Sequence, residues 1–120
     1  MKIGIPKELT SGEKRIATPP DAIKKLVNMG AEVFVQAGAG EGASISDTEL
    51  VESGAKILED ASAIYKTADI ILKVQRPKVN KADGIDEMSM LREDTILIGM
   101  LSPHFNKPQV EEYARKGVVA

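Results

Sequence analysis

The chain has 120 residues, 42% of them hydrophobic, with 16 basic against 18 acidic side chains and a net charge of −2. That length supports one hydrophobic core rather than two, and the balanced charge leaves no basic footprint for nucleic acid or a membrane surface. With no cysteine and one histidine, disulfides, thiolate chemistry and metal-ligand spacings are excluded.

No apolar run exceeds seven residues, far below the roughly 20 that span a bilayer. Met1-Lys-Ile-Gly-Ile-Pro6 lacks the apolar core of a signal peptide. The chain therefore reads as soluble and cytoplasmic.

The first strand is expected over Met1-Lys-Ile-Gly-Ile, stopped by Pro6, with a loop through Gly12 and Arg15 leading to a helix. Thr18 is expected as the cap of that helix, with Pro19 at its first position, Asp21 as capping-box partner and Gly30 as its end. Ile23, Leu26 and Val27 give it one apolar stripe. Ala31-Glu-Val-Phe-Val-Gln36 alternates as a strand. Ser46-Asp-Thr-Glu49 is a second capping box, closed by Gly54. A short strand at Ala55-Lys-Ile-Leu58 then precedes a helix capped by Asp60.

Asp69-Ile-Ile-Leu-Lys-Val-Gln-Arg-Pro77 reads as a strand buried on both faces. A polar turn at Lys78–Gly84 and a helix marked by Ile85, Met88 and Leu91 follow it. Thr95-Ile-Leu-Ile-Gly-Met-Leu101 is the clearest buried strand, followed by a helix capped by Asn106, with Gln109 as box partner and Gly117 as stop. Val118-Val-Ala120 reads as a sixth strand cut off as it starts, so the chain is expected to be the front part of a longer polypeptide. Strand and helix alternate throughout. The expectation is one α/β domain over residues 1–120, a Rossmann-like or flavodoxin-like parallel sheet of about six strands with helices on both faces.

Lys73 stands out, because an ammonium group inside an apolar strand must be paired or open onto a site. Arg15 follows the exit of the first strand. Two cations at two strand exits form a candidate anion site, unless Lys73 snorkels at a strand end and Arg15 is a surface charge. Gly38-Ala-Gly-Glu-Gly-Ala43 matches a dinucleotide fingerprint in spacing. However, Ser44 and Ile45 separate it from the next helix cap, whereas a true fingerprint opens its helix at once. It is read as a structural loop, so no cofactor-binding residue is assigned. His104 follows the fifth strand, where open sheets place ligands, and is either an acid–base candidate or an exposed turn residue.

Four segments carry a family resemblance: Met1-Lys-Ile-Gly-Ile-Pro-Lys-Glu8, Glu13-Lys-Arg-Ile-Ala-Thr-Pro19, Gly38-Ala-Gly-Glu-Gly-Ala-Ser44 and Leu72-Lys-Val-Gln-Arg-Pro77. Together they resemble the amino-terminal domain shared by alanine dehydrogenases and the alpha component of proton-translocating NAD(P) transhydrogenase. The resemblance implies an oxidoreductase that uses NAD(H) and NADP(H) and no metal. It also implies a Rossmann domain of the same polypeptide that is absent here, membrane and NADP-binding partner components, a homodimer, and a place at the periphery of the inner membrane. The 120-residue chain by itself is expected to be inactive.

In an alanine dehydrogenase, Arg15 and Lys73 would bind a 2-oxo acid; in a transhydrogenase, they would shape the cleft between domains or touch nucleotide phosphate. The substrate histidine of alanine dehydrogenases aligns with Ser102, leaving His104 displaced by two residues, and Gln75-Arg76 resembles the transhydrogenase branch. A non-catalytic cleft or interaction domain is the third reading.

Overall fold

The computed structural model describes residues 1–80, 85–100 and 107–120. In chain order the elements are β1 (Lys2–Ile5), α1 (Pro20–Asn28), β2 (Glu32–Gln36), α2 (Asp47–Glu52), β3 (Lys56–Leu58), α3 (Ala61–Thr67) and β4 (Ile70–Gln75). They continue with β5 (Val79–Asn80), β6 (Ile85–Asp86), β7 (Ile96–Met100) and α4 (Lys107–Lys116). Five strands pair in the order β3-β2-β1-β4-β7, and every pair is parallel. β5 and β6 form a small antiparallel hairpin outside this sheet.

Capping decides where the helices begin. Ser46 accepts from the Glu49 amide while the Glu49 side chain reaches back, giving the capping box expected from sequence. Asp60 caps α3 through the Ala63 amide at 2.8 Å. α1 starts one residue later than expected: Pro19 is the cap and Pro20 the first helical residue, with no side-chain cap bond. A first-turn proline loses no helical hydrogen bond, so the prolines set this start without help from Thr18.

Three other expectations change. The sheet has five strands instead of about six, because Val119 makes only an isolated parallel bridge to Ile96. The helix expected around Ile85 to Leu91 is instead β6 and a single 3₁₀ turn, Met88–Met90. Its apolar side chains are packed into the core by tertiary contact rather than by helical period. The cap expected at Asn106 lies outside the described residues, as do Ser102 and His104.

The sheet separates two apolar clusters. On one face α1 and α2 bury Ile23 and Leu50 against Ile3, Ile5, Val33 and Val35. On the other, α3, α4 and the 3₁₀ turn bury Ile64, Tyr65, Tyr113 and Met88 against Ile71 and Leu97. Connections stepping toward β3 run over the first face and those stepping toward β7 over the second, the pattern that right-handed crossovers impose.

Candidate functional site: the exit edge of the sheet

The ladder between β1 and β4 pairs Ile3 with Ile70 and Gly4 with Ile71, then ends, because Pro6 has no amide hydrogen and turns the chain away. The amides of Val74 and Gln75 would be orphaned there. Glu8 takes both: its two carboxylate oxygens accept them at 3.0 Å each. On its other side β4 carries an irregularity against β7, with Leu72 opposite Ile98 and Gln75 opposite Met100. Two residues of β4, Lys73 and Val74, thus face one of β7, Gly99, which is the geometry of a β-bulge.

Lys73 emerges at this bulge on the face covered by α3. Its ammonium lies 3.1 Å from Glu87 Oε2 and 3.5 Å from Glu8 Oε1, and all three side chains are at most 4% exposed. Tyr65 donates its hydroxyl to the same Glu87 oxygen at 2.7 Å, and the Lys78 amide donates to Glu87 Oε1 at 2.8 Å. Each of these contacts on the two carboxylates comes from a donor, so the buried negative charge is met by hydrogen bonds as well as by the ammonium. Burial, with the negative charge of Glu87 beside it, pushes the Tyr65 phenol far above its usual range. The cluster ties the loop after β1, α3, β4 and the segment before the 3₁₀ turn into one unit.

Arg15 sits farther out on the same edge and is exposed. Its Nε and Nη2 form a fork on Glu13 at 2.9 and 2.8 Å, and Gln75 Nε2 donates to Glu13 Oε1 at 2.8 Å. The guanidinium of Arg15, followed by the amide of Gln75, holds the Glu13 carboxyl down at about 2. Arg15 is therefore linked through Glu13 to Gln75, two residues beyond Lys73. Both cations lie on one edge, and each already faces carboxylate within the fold.

Beside them opens a cleft of about 860 Å³, lined among others by Arg76, Pro77, Lys78, Met88, Ser89 and Gln109. Gln109 braces it, donating to the Pro77 carbonyl at 2.7 Å and accepting from Arg76 at 3.0 Å. Lys78 Nζ donates to the Leu9 carbonyl at 3.1 Å, closing the near wall.

The loop Gly38–Ala43 does not fit a pyrophosphate. Both carboxylate oxygens of Asp47 accept from the Gly38 amide, placing negative charge where a phosphate would have to approach. A Cβ on Gly40 would lie 2.6 Å from the Ile45 carbonyl, and one on Gly42 2.8 Å from that of Lys14. These glycines are required by the chain's own close approaches, so no dinucleotide cradle stands here.

Of the residues singled out in sequence, Arg15 and Lys73 share an edge, while Ser102 and His104 lie outside the described residues. Sequence reasoning missed Glu8, Glu87 and Tyr65. Glu8, just beyond a proline-stopped strand, was the legible one; Glu87 sits among residues read as a helix, which gave no sign that it turns inward.

Comparison with known proteins matches residues 4–120 to the family described as alanine dehydrogenase/PNT, N-terminal domain. The chain belongs to that family. It is 42% identical, over all of its 120 residues, to the first of the polypeptides that make up NAD(P) transhydrogenase subunit alpha in Rhodospirillum rubrum, of which it covers 31%. It is 33% identical over the same length to an alanine dehydrogenase of Mycolicibacterium smegmatis, again covering 31%. A crystal structure of transhydrogenase from Sinorhizobium meliloti superposes with a TM-score of 0.88 at 35% identity, over 98% of this chain and 32% of that one. An L-alanine dehydrogenase structure gives the same TM-score at 27% identity. The chain thus spans about a third of the length of these relatives.

Proposed function

We propose, from that family membership, that this chain is the amino-terminal domain of a transhydrogenase alpha component, which moves hydride between NAD(H) and NADP(H) with proton translocation by membrane partners. The carrying observation is the full-length likeness to the Rhodospirillum rubrum transhydrogenase subunit, closer than that to the alanine dehydrogenase. In this reading, residues 1–120 are the front part of a longer polypeptide that forms a homodimer. The dinucleotide belongs to a Rossmann domain beyond residue 120, since the glycine loop here does not suit phosphate. Membrane attachment comes from partner components, and among the described residues no helix is long and apolar enough to cross a bilayer.

The exit edge is the wall that faces the nucleotide domain. Arg15 and Lys73 act there as cleft-shaping residues: Arg15 positions the rim through Glu13 and Gln75, and Lys73 fixes the wall from beneath. Neither needs to touch substrate, because a nucleotide-to-nucleotide transfer has no carbonyl to polarise. The 120-residue chain alone is then inactive.

The intact polypeptide, reconstituted with its partner components, tests this reading. Hydride transfer from NADPH to an NAD analogue is the expected activity. Reductive amination of pyruvate with NADH, at rates above that transfer, would instead assign the chain to the alanine dehydrogenases.

A further inference from the structure

Parallel sheets are stable with both faces covered, and here one face is covered only in half. α1 and α2 lie over β1, β2 and β3, where Ile3, Ile5, Val33 and Val35 are buried. The same face continues onto β4 and β7 through Ile70 opposite Ile96 and Leu72 opposite Ile98. Over this half, among the described residues, no helix sits. Ile98 is 53% exposed, Met100 49% and Ile96 37%, and Val119, bridged to Ile96, is 56% exposed. On the opposite face of β7, Leu97 is buried.

Topology says what cannot fill the gap. Every connection stepping toward β7 runs over the face of α3 and α4, so a right-handed crossover continuing outward from Val119 would stay on that face too. Cover for the bare half must arrive from elsewhere, by a segment that leaves and returns.

We propose that this half-face seats an amphipathic α-helix of the same polypeptide, returning from beyond residue 120. The inference rests on the reading of the chain as the front part of a longer one. Relatives matched along this whole chain carry about two thirds of their length outside the matched region, ample for a return. The helix presents a stripe of aliphatic side chains to Ile96, Ile98 and Met100 and a polar face to solvent.

The test uses the intact polypeptide under mild peroxide, with methionine oxidation mapped by mass spectrometry. Met29, 82% exposed on the far end of α1, is the internal reference. A seated helix makes Met100 oxidise at least about tenfold more slowly than Met29; rates within a factor of about two overturn the proposal. A photo-crosslinking phenylalanine analogue at Ile98, an exposed position, identifies the cover independently of oxidation. A crosslink to a peptide of the same chain beyond residue 120 supports the proposal. A crosslink to a second copy, to a different protein, or to nothing overturns it. Protection of Met100 in a preparation without hydride-transfer activity would sink the functional reading and leave this one standing; an active preparation with a reactive Met100 does the reverse.

Discussion

Lys73 and Gly99 meet back to back across β4 and β7: a Cβ on Gly99 would lie 2.7 Å from the Lys73 carbonyl oxygen and 3.5 Å from its Cβ. The contact is backbone against backbone, so no side-chain rotation relieves it. A glycine in the middle of an apolar strand otherwise weakens it, and here it lets the bulge close and deliver Lys73 to its carboxylates. Gly99→Ala is expected to cost about 1–3 kcal/mol, the scale of overpacking in a core, measured by urea unfolding. It should also loosen the Lys73 cluster, seen as altered chemical shifts at Tyr65 and Glu87. A substitution that changes neither stability nor those shifts would mean that the bulge tolerates a methyl group.

The Lys73 cluster is an all-or-none arrangement. Removing one partner of a buried ion pair leaves a charge uncompensated and costs about 3–5 kcal/mol, whereas replacing the whole set with neutral groups costs far less. Lys73→Met should therefore destabilise by that amount, because Glu8 and Glu87 remain buried 3.5 and 3.1 Å from where the ammonium was. Adding Glu8→Gln and Glu87→Gln should recover part of the loss. Urea unfolding of the single and triple variants decides the matter: a single variant within about 1 kcal/mol of wild type would refute the cage.

The strands and caps were legible because their signals are local. Ser46 with Glu49 and Asp60 ahead of Ala63 are spacings a reader can count, and Pro6 ends β1 by chemistry alone. The cluster was half legible: a lysine in an apolar strand demands a partner, but which carboxylate answers depends on a bulge and on a 3₁₀ turn that pattern does not encode. The stretch from Ile85 to Leu91 misled because Ile85, Met88 and Leu91 fall at helical spacing. The backbone there makes a hairpin and a tight turn, which aims Glu87 inward.

Glu13 gives an acid-side prediction. Its folded pKa, about 2, lies below the ordinary 4.5 because Arg15 grips it and Gln75 donates to it. A depressed carboxyl contributes stability that is complete above 4.5 and is lost as pH falls toward 2. The advantage of wild type over Glu13→Gln should therefore shrink across that interval. Carbon-detected NMR of the Glu13 carboxyl checks it directly; a midpoint near 4.5 would show that the Arg15 fork does not hold in solution.

The alkaline side tests the buried hydroxyl. The chain has two tyrosines. Burial raises both above the ordinary 10, Tyr113 to about 12 and Tyr65 beyond, the latter also by facing Glu87. The unfolded chain releases these protons near pH 10 and the folded chain does not, so stability is unaffected below about 10 and falls as pH rises above it. Native protein should consequently show almost no tyrosinate absorbance between pH 9.5 and 11, and then a cooperative rise as it unfolds. Tyr65→Phe removes a 2.7 Å hydrogen bond to a carboxylate, expected to cost about 1.5–3 kcal/mol at neutral pH. It also removes one of the protons that the unfolded chain releases. Its stability should thus start lower and decline less steeply above pH 10. Parallel decline of the two proteins, or a phenolate titrating reversibly near pH 10 in the folded wild type, would place the Tyr65 hydroxyl in water rather than on Glu87.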